Sequence, residues 1–164
     1  MNVTVLMENT APEGCGLASE AGLSLYIEYR GHRLLLDAGS SGRFADNAQM
    51  LGADLTEVEM VVLSHGHFDH ADGLRRFFQM NSRAKVYMGR EANGPYFSTG
   101  GEGYYFIGMQ RDIWKNFKDR FVETTGFCPL MEGAWLVPDT VRDPKFAGRA
   151  ADLLRKRGTD DFIP

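Results

Sequence analysis

Ser64-His65-Gly66-His67-Phe68-Asp69-His70 is the stretch of this sequence equipped for chemistry. It gathers three of the chain's four histidines within six consecutive positions, with an aspartate just before the last of them. Imidazole nitrogens and carboxylate oxygens are ligands that zinc, manganese and iron all accept, and four of them on so short a tether need little further ordering to converge. The pattern H-x-H-x-D-H therefore predicts a metal site built from His65, His67, Asp69 and His70. A surface or capping role is the ordinary reading of a single histidine, and the density of ligands here argues against it. The fourth histidine, His32, lies alone and reads as a turn or strand-face residue.

The elements that must position this cluster can be read on either side of it. Met60-Val61-Val62-Leu63 has no polar alternation, so it predicts a strand covered on both faces, with the cluster at its end. Leu74, Phe77 and Phe78 recur at helical spacing and predict a helix from near His70 through Met80. Asp69 and Asp72 would lie in that helix's first turn, where a carboxylate is favoured whatever its chemistry, and Asp72 is read as no more than that. Upstream, Leu34-Leu35-Leu36-Asp37-Ala38-Gly39 is an apolar strand delivering one carboxylate into a small-residue turn. Asp37 is either a turn aspartate accepting backbone N–H bonds or an acceptor that orients a metal-bound imidazole, and the local sequence leaves both open.

The remaining elements follow in order. Val3 and Val5 alternate with Asn2 and Thr4 as a strand. The loop after it carries Glu8, Asn9, Thr10 and Glu13, read as solvated residues rather than site-lining ones. Leu23 to Leu36 reads as a hairpin turning at Gly31, and Gly42 to Leu51 as a helix stopped by Gly52, so strand, helix and strand imply a parallel pairing. Ala84 to Met88 is a further strand. Asn93 to Gly108 interleaves glycines with aromatic residues and reads as a long loop, either covering a substrate or packing back on the domain. Ile113, Trp114 and Phe117 predict a helix, Phe121 to Thr124 and Ala134 to Val137 predict strands, and Asp143 to Gly158 predicts a last helix burying Phe146, Ala150, Leu153 and Leu154. The acidic tail from Thr159 to Pro164 carries no packing signal.

With 164 residues and 43% apolar content, the chain suffices for one domain, taken as residues 1–164. A net charge of -4 supplies no footprint for nucleic acid, and the basic run Arg155-Lys156-Arg157 belongs to the end of the last predicted helix. Cys15 and Cys128 are far apart and read as reduced thiols. No apolar run approaches membrane-spanning length, so a cytoplasmic protein acting on a small-molecule substrate, with no nucleic acid and no membrane, is the expectation.

Leu34 to Gly39, followed by Val61-Val62-Leu63-Ser64-His65-Gly66-His67-Phe68-Asp69-His70-Ala71-Asp72-Gly73-Leu74, resembles the metallo-β-lactamase-fold hydrolase superfamily. Glu8-Asn9-Thr10 and Gly22-Leu23-Ser24 make the chain most similar to the branch named for dihydropterin-ribofuranosylaminobenzene-phosphate synthase. The resemblance implies an α/β fold of αββα sandwich type, with His65 and His67 on one divalent metal and Asp69 and His70 on a second. Zinc comes first among the candidate metals, with manganese or iron as alternatives. The resemblance also makes Asp37 a support for a ligand, and Asp69 a proton acceptor for the water that attacks an ester or phosphoester-type substrate. Family members draw further ligands from later in the chain. No histidine follows His70, and no motif supports Asp139, Asp143 or Asp161 in that role, so the chain reads as incomplete at its C-terminus. Two expectations follow: a metal-dependent hydrolase, or a non-catalytic half-domain whose apolar sheet face is covered by a homo-oligomer or a partner chain. A nuclease loses on charge, and an oxygen reductase of this fold would place glutamate at His67.

Overall fold

The computed structural model describes residues 1–100 and 103–137, together with the backbone of two strands at 153–157 and 161–163. A six-stranded sheet forms the centre: β1 (Asn2–Met7), β2 (Ser24–Tyr29), β3 (His32–Leu36), β4 (Met60–Leu63), β5 (Lys85–Gly89) and β8 (Phe121–Thr124), in that spatial order. β1, β2 and β3 pair antiparallel, and from β3 through β8 the pairing is parallel. The first change of direction is local. Arg30 and Gly31 between β2 and β3 have φ of 51° and 85°, the two positive values that a tight hairpin turn needs to match strand twist. Parallel strands need crossovers, and helices α1 (Arg43–Leu51) and α3 (Leu74–Met80) supply the first two.

One face of this sheet is the core. Tyr26, Leu35, Val61, Leu63, Val86 and Met88 meet Phe44, Leu74, Phe77 and, from α4 (Arg111–Phe117), Ile113. Burying each of the larger side chains contributes about 1.5–3 kcal/mol, so this face carries most of the fold's driving force. Alternation along the strands sends Leu25, Ile27, Leu36, Val62, Tyr87 and Val122 to the other face, where they are only half-buried. Val3 and Val5 extend that apolar face and are 48% and 50% exposed. A second hairpin, β9 (Cys128–Met131) with β10 (Ala134–Leu136), reaches the end of β2 through an Arg30 to Glu132 ion pair of 3.0 Å.

Three elements depart from the sequence expectations. The stretch Asn93 to Gly108 is no loop: β6 (Tyr96–Gly100) and β7 (Gly103–Phe106) pair antiparallel within it. Its aromatic residues suit a strand, and the glycines gather where the hairpin reverses, at Gly100 and Gly103. Leu153–Arg157, expected as helix, is strand β11, pairing β6 on one side and β12 (Asp161–Ile163) on the other. Cross-strand pairing has overridden the helical spacing there, and the tail thought to lack a packing signal pairs too; residues 143–152 of the expected helix lie outside the described residues. Finally, the helix expected from His70 to Met80 is two helices, α2 (Phe68–Ala71) and α3, parted at Asp72-Gly73. Among the described residues no helix is long and apolar enough to cross a membrane.

Gly73 explains that break. Its φ of -62° suits any residue, but a Cβ there would lie 1.9 Å from the carbonyl oxygen of Ala38 and 2.6 Å from that of Ser41. The turn after β3 therefore presses directly on the start of α3, and only a glycine lets it. Gly73→Ala should destabilise the protein by about 1–3 kcal/mol in urea unfolding, the usual penalty for overpacking. Gly89→Ala, where nothing lies within 4 Å of the added methyl, should stay within about 0.5 kcal/mol of wild type.

Candidate metal centre

The strand ends place the cluster. β3 and β4 are parallel neighbours, so the turn Asp37-Ala38-Gly39 and the loop Ser64 to His67 leave the same edge of the sheet side by side. Backbone bonds lock them together: Asp37 N–H donates to Val62 O at 2.9 Å, Ala38 N–H to His70 O at 2.8 Å, and Gly73 N–H to Gly39 O at 3.1 Å. Asp37 itself sits at φ 58°, in the left-handed region that aspartate tolerates better than most side chains.

Its side chain is fully buried, and three donors surround it. Ser64 N–H donates to Oδ1 at 2.7 Å, Ser64 Oγ–H to Oδ2 at 2.6 Å, and His70 Nδ1–H to Oδ2 at 2.7 Å. A buried carboxylate is tolerated only with such pairing. Asp37 thus caps the Ser64 turn and at the same time accepts from the imidazole of His70. The bonds also fix tautomers. A carboxylate only accepts, so His70 must donate from Nδ1, and in the neutral ring this leaves the Nε2 lone pair free, 3.8 Å from Asp69 Oδ2. Ser64 spends its one proton on Asp37, so its oxygen receives a proton from His65 Nδ1 across 2.9 Å, and His65 too presents a free Nε2.

Donor atoms of His65, Asp69 and His70 all lie within 4.8 Å of one another, the one such group of three or more among the described residues. This is a fit for a divalent ion: two imidazole nitrogens and a carboxylate oxygen, with the rings already oriented from behind. His67 stands beside the group, its ring edge-on to that of His65 with centroids 4.6 Å apart. On its other side lies the ring of Tyr96, at 5.4 Å. Backbone pairing holds the loop here: His67 bridges Gly108, Phe68 N–H donates to Ile107 O, and Met109 N–H donates to Gly66 O, both at 2.8 Å.

Protonation is divided across the cluster. Burial lowers the pKa of His65, helped by the nearby His70 and His67 rings, and burial also lowers that of His67. Both are held in the neutral form that a metal requires. Burial opposes the charged form of His70 as well, but the hydrogen bond and charge of Asp37, together with the charge of Asp69, outweigh it and raise the pKa.

The other candidates go elsewhere. His32 pairs with Glu59 at 2.8 Å, at the far end of β3. Glu8 accepts from Thr10, and Asn9 accepts from Gly22 N–H at 3.0 Å, so both brace the loop. Gly22 is needed for that loop to reach the site, since a Cβ there would overlap the Asp69 carbonyl. Asp72 accepts from Gln110 N–H at 2.9 Å and so ties the metal loop to the residue preceding α4, a contact outside its own helix. The relay through Ser64 and the contact of Tyr96 with His67 were not read from the sequence. Ser64 adjoins the motif, but nothing in spacing assigns a serine its partners, and Tyr96 sits in the stretch misread as loop.

Residues 19–137 match the metallo-beta-lactamase superfamily, and the chain belongs to it. Its α/β class and its layer of helices on one sheet face agree with that assignment. The chain is 30% identical over 112 residues to the uncharacterized protein MJ0448 of Methanocaldococcus jannaschii, an alignment covering 68% of this chain and 41% of the relative. Among solved structures it is similar to the Rm3 metallo-beta-lactamase, at 17% identity and a TM-score of 0.49, over 74% of this chain and 46% of that one. It is similar also to MEM-A1, a subclass B3 metallo-beta-lactamase from a soil metagenome library, at 18% identity and a TM-score of 0.45, over 65% and 40% of the two chains. A third is the Cronobacter sakazakii metallo-beta-lactamase with a HARLDQ motif, at 23% identity and a TM-score of 0.41, over 46% and 28%. The chain thus spans less than half the length of each of these proteins.

A metal needs the Nε2 lone pair of His70, so a proton held there competes with it. Zinc affinity should therefore rise with pH above about 6.5 as the raised His70 gives up its proton. In Asp37→Asn the charge that raises His70 is gone, so the rise should move to lower pH. Affinity at neutral pH should at the same time fall roughly 10–100-fold, the usual effect of removing a ligand's supporting acceptor. Zinc titrations of both proteins across pH read the two effects together.

Proposed function

We propose that this chain carries the metal-binding portion of a hydrolase that cleaves an ester or phosphoester-type bond in a small molecule. The convergence of His65, Asp69 and His70, with Asp37 buried behind them, carries the reading. His65 and His67 would hold one metal and Asp69 with His70 a second, zinc being the first candidate and manganese or iron the alternatives that suit the same donors. Further ligands for a two-metal centre would come from outside the described residues. A divalent metal bound here supplies Lewis acidity, which lowers the pKa of water toward about 7 and stabilises charge developing on the substrate oxygen.

The protein's own residues do the rest. Asp37 fixes the His70 ring, Ser64 fixes the His65 tautomer, and neither ring has to reorganise during turnover. Asp69, half-buried and beside His70, would accept a proton from the attacking water. Kinship with the dihydropterin-ribofuranosylaminobenzene-phosphate synthase branch, resting on Glu8-Asn9-Thr10 and the spelling of the histidine motif, belongs to the same reading, as does a cytoplasmic setting.

A second reading has its own support in the apolar sheet face, where Val3 and Val5 are about half exposed beside half-buried Leu25, Ile27, Leu36 and Val62. On that reading the chain is a half-domain that works by self-association or by pairing with another chain across this face. One experiment separates the two. Purified protein with zinc or manganese is assayed on aryl esters and bis(4-nitrophenyl) phosphate, beside a His67→Ala variant, with the solution mass measured throughout. Metal-dependent turnover that is lost in His67→Ala supports the hydrolase. Equal metal content in the two proteins and no turnover would sink it, and a monomeric mass would sink self-association.

A further inference from the structure

A cavity of about 340 Å³ opens beside the metal loop, lined by Asn93, Gly94, Pro95, Phe106, Met109, Arg111 and Trp114. An apolar cavity of about 150 Å³ already holds a benzene ring, so this one has room for a substituted ring. Its walls are continuous with the metal site. Phe106 precedes, and Met109 ends, the segment whose backbone bonds to Gly66, His67 and Phe68. Gly94 and Pro95 lead into Tyr96, whose ring packs on His67. Two glycines shape the wall: a Cβ on Gly108 would lie 2.7 Å from the Phe106 ring, and one on Gly94 would lie 3.1 Å from the Tyr96 ring.

The lining is mixed. Pro95, Phe106, Met109 and Trp114 present flat or apolar surface, Asn93 adds an amide, and among the described lining residues the one charged side chain is that of Arg111, at the exposed rim. Neighbouring carboxylates are committed elsewhere. Asp112 grips Arg75 through contacts of 2.8 and 2.9 Å, and Asp72 takes the Gln110 N–H. Among the described residues, nothing pairs with Arg111. A planar guanidinium beside aromatic walls suits a carboxylate or phosphate borne on a flat apolar body, because the fork binds two oxygens while the ring stacks.

We infer that this cavity receives the end of the substrate remote from the scissile bond, and that this end is an aromatic or similarly flat group carrying a carboxylate or phosphate. The inference rests on the hydrolase reading for its meaning, but its test does not need turnover. The chain has two tryptophans, and Trp135 is exposed, so Trp135→Phe leaves Trp114 as the reporter. Benzoate, phenyl phosphate and uncharged benzamide are titrated into this protein in EDTA, following Trp114 fluorescence. Saturable binding of at least one anion roughly tenfold tighter than benzamide is expected, and Arg111→Gln should abolish that preference. The stronger of the two anions identifies which acid the arm recognises. Equal binding of benzamide, no saturation by either anion at millimolar concentration, or an unchanged preference in Arg111→Gln would overturn the inference. Arg111→Lys, which keeps the charge without the fork, should retain only part of the preference; full retention would overturn the bidentate contact. Anion binding without hydrolysis of any ester would instead remove the hydrolase reading and leave the cavity's selectivity standing.

Discussion

A single buried carboxylate, that of Asp37, holds the end of β3, the turn after β4 and the ring of His70 in one arrangement. Buried charge is costly unless every lone pair in reach is occupied, so the three donors are conditions for the fold as much as contacts for the site. The local backbone reflects this. Asp37 occupies a left-handed conformation at the point where an extended strand must stop, and its amide is still bonded to the neighbouring strand at Val62. Folding the sheet edge and orienting the His70 ring are therefore one event. A substitution that weakens the site through Asp37 must disturb the turn as well; even asparagine, which keeps the shape, puts an N–H donor where Ser64 or His70 now donates.

Close backbone contact around that carboxylate makes the loop rigid. Three glycines stand where a Cβ would overlap a carbonyl oxygen: Gly22 against Asp69, Gly66 against Ala92 and Gly73 against Ala38. Each joins the metal loop to a different part of the chain, namely the early loop, the segment after β5 and the turn after β3. Packing of this kind resists small displacements because backbone atoms cannot rotate out of the way as side chains can. Side chains presented on such a loop would need little ordering to receive a metal, which is where a preorganised site gains affinity.

Legibility in the sequence followed the range of the interactions concerned. Strands β1 to β5 and helix α1 could be read because alternation, apolar runs and Gly52 are local signals, and the histidine cluster could be read because its ligands are neighbours in sequence. Asp37 could be located but not assigned, since a turn aspartate and a ligand-orienting aspartate look alike until the partner 33 residues away is known. The hairpin β6–β7 was missed because glycine and aromatic residues in equal measure suit a loop as well as a twisted ribbon, and β11 because Leu153 and Leu154 fit a helix face until they meet Phe97 and Ser98. In both cases a partner strand distant in sequence decided the outcome, as β-pairing generally requires.

The segment that was hardest to read is also the one that joins the site to its surroundings. Residues 107–109 lie at the foot of the β6–β7 hairpin and pair with residues 66–68, so the wall of the cavity and the base of the metal loop share a short stretch of backbone pairing. Tyr96 begins β6 and packs against His67, which ties the hairpin's other strand to the same loop. A ligand seated between Arg111 and Trp114 would thus be positioned by the same backbone that positions His67. Distance between the two ends of a substrate is then set by secondary structure rather than by mobile side chains. That is the arrangement in which binding at a remote group is converted into alignment at the reacting one, because the energy of the contact is not lost in loop movement.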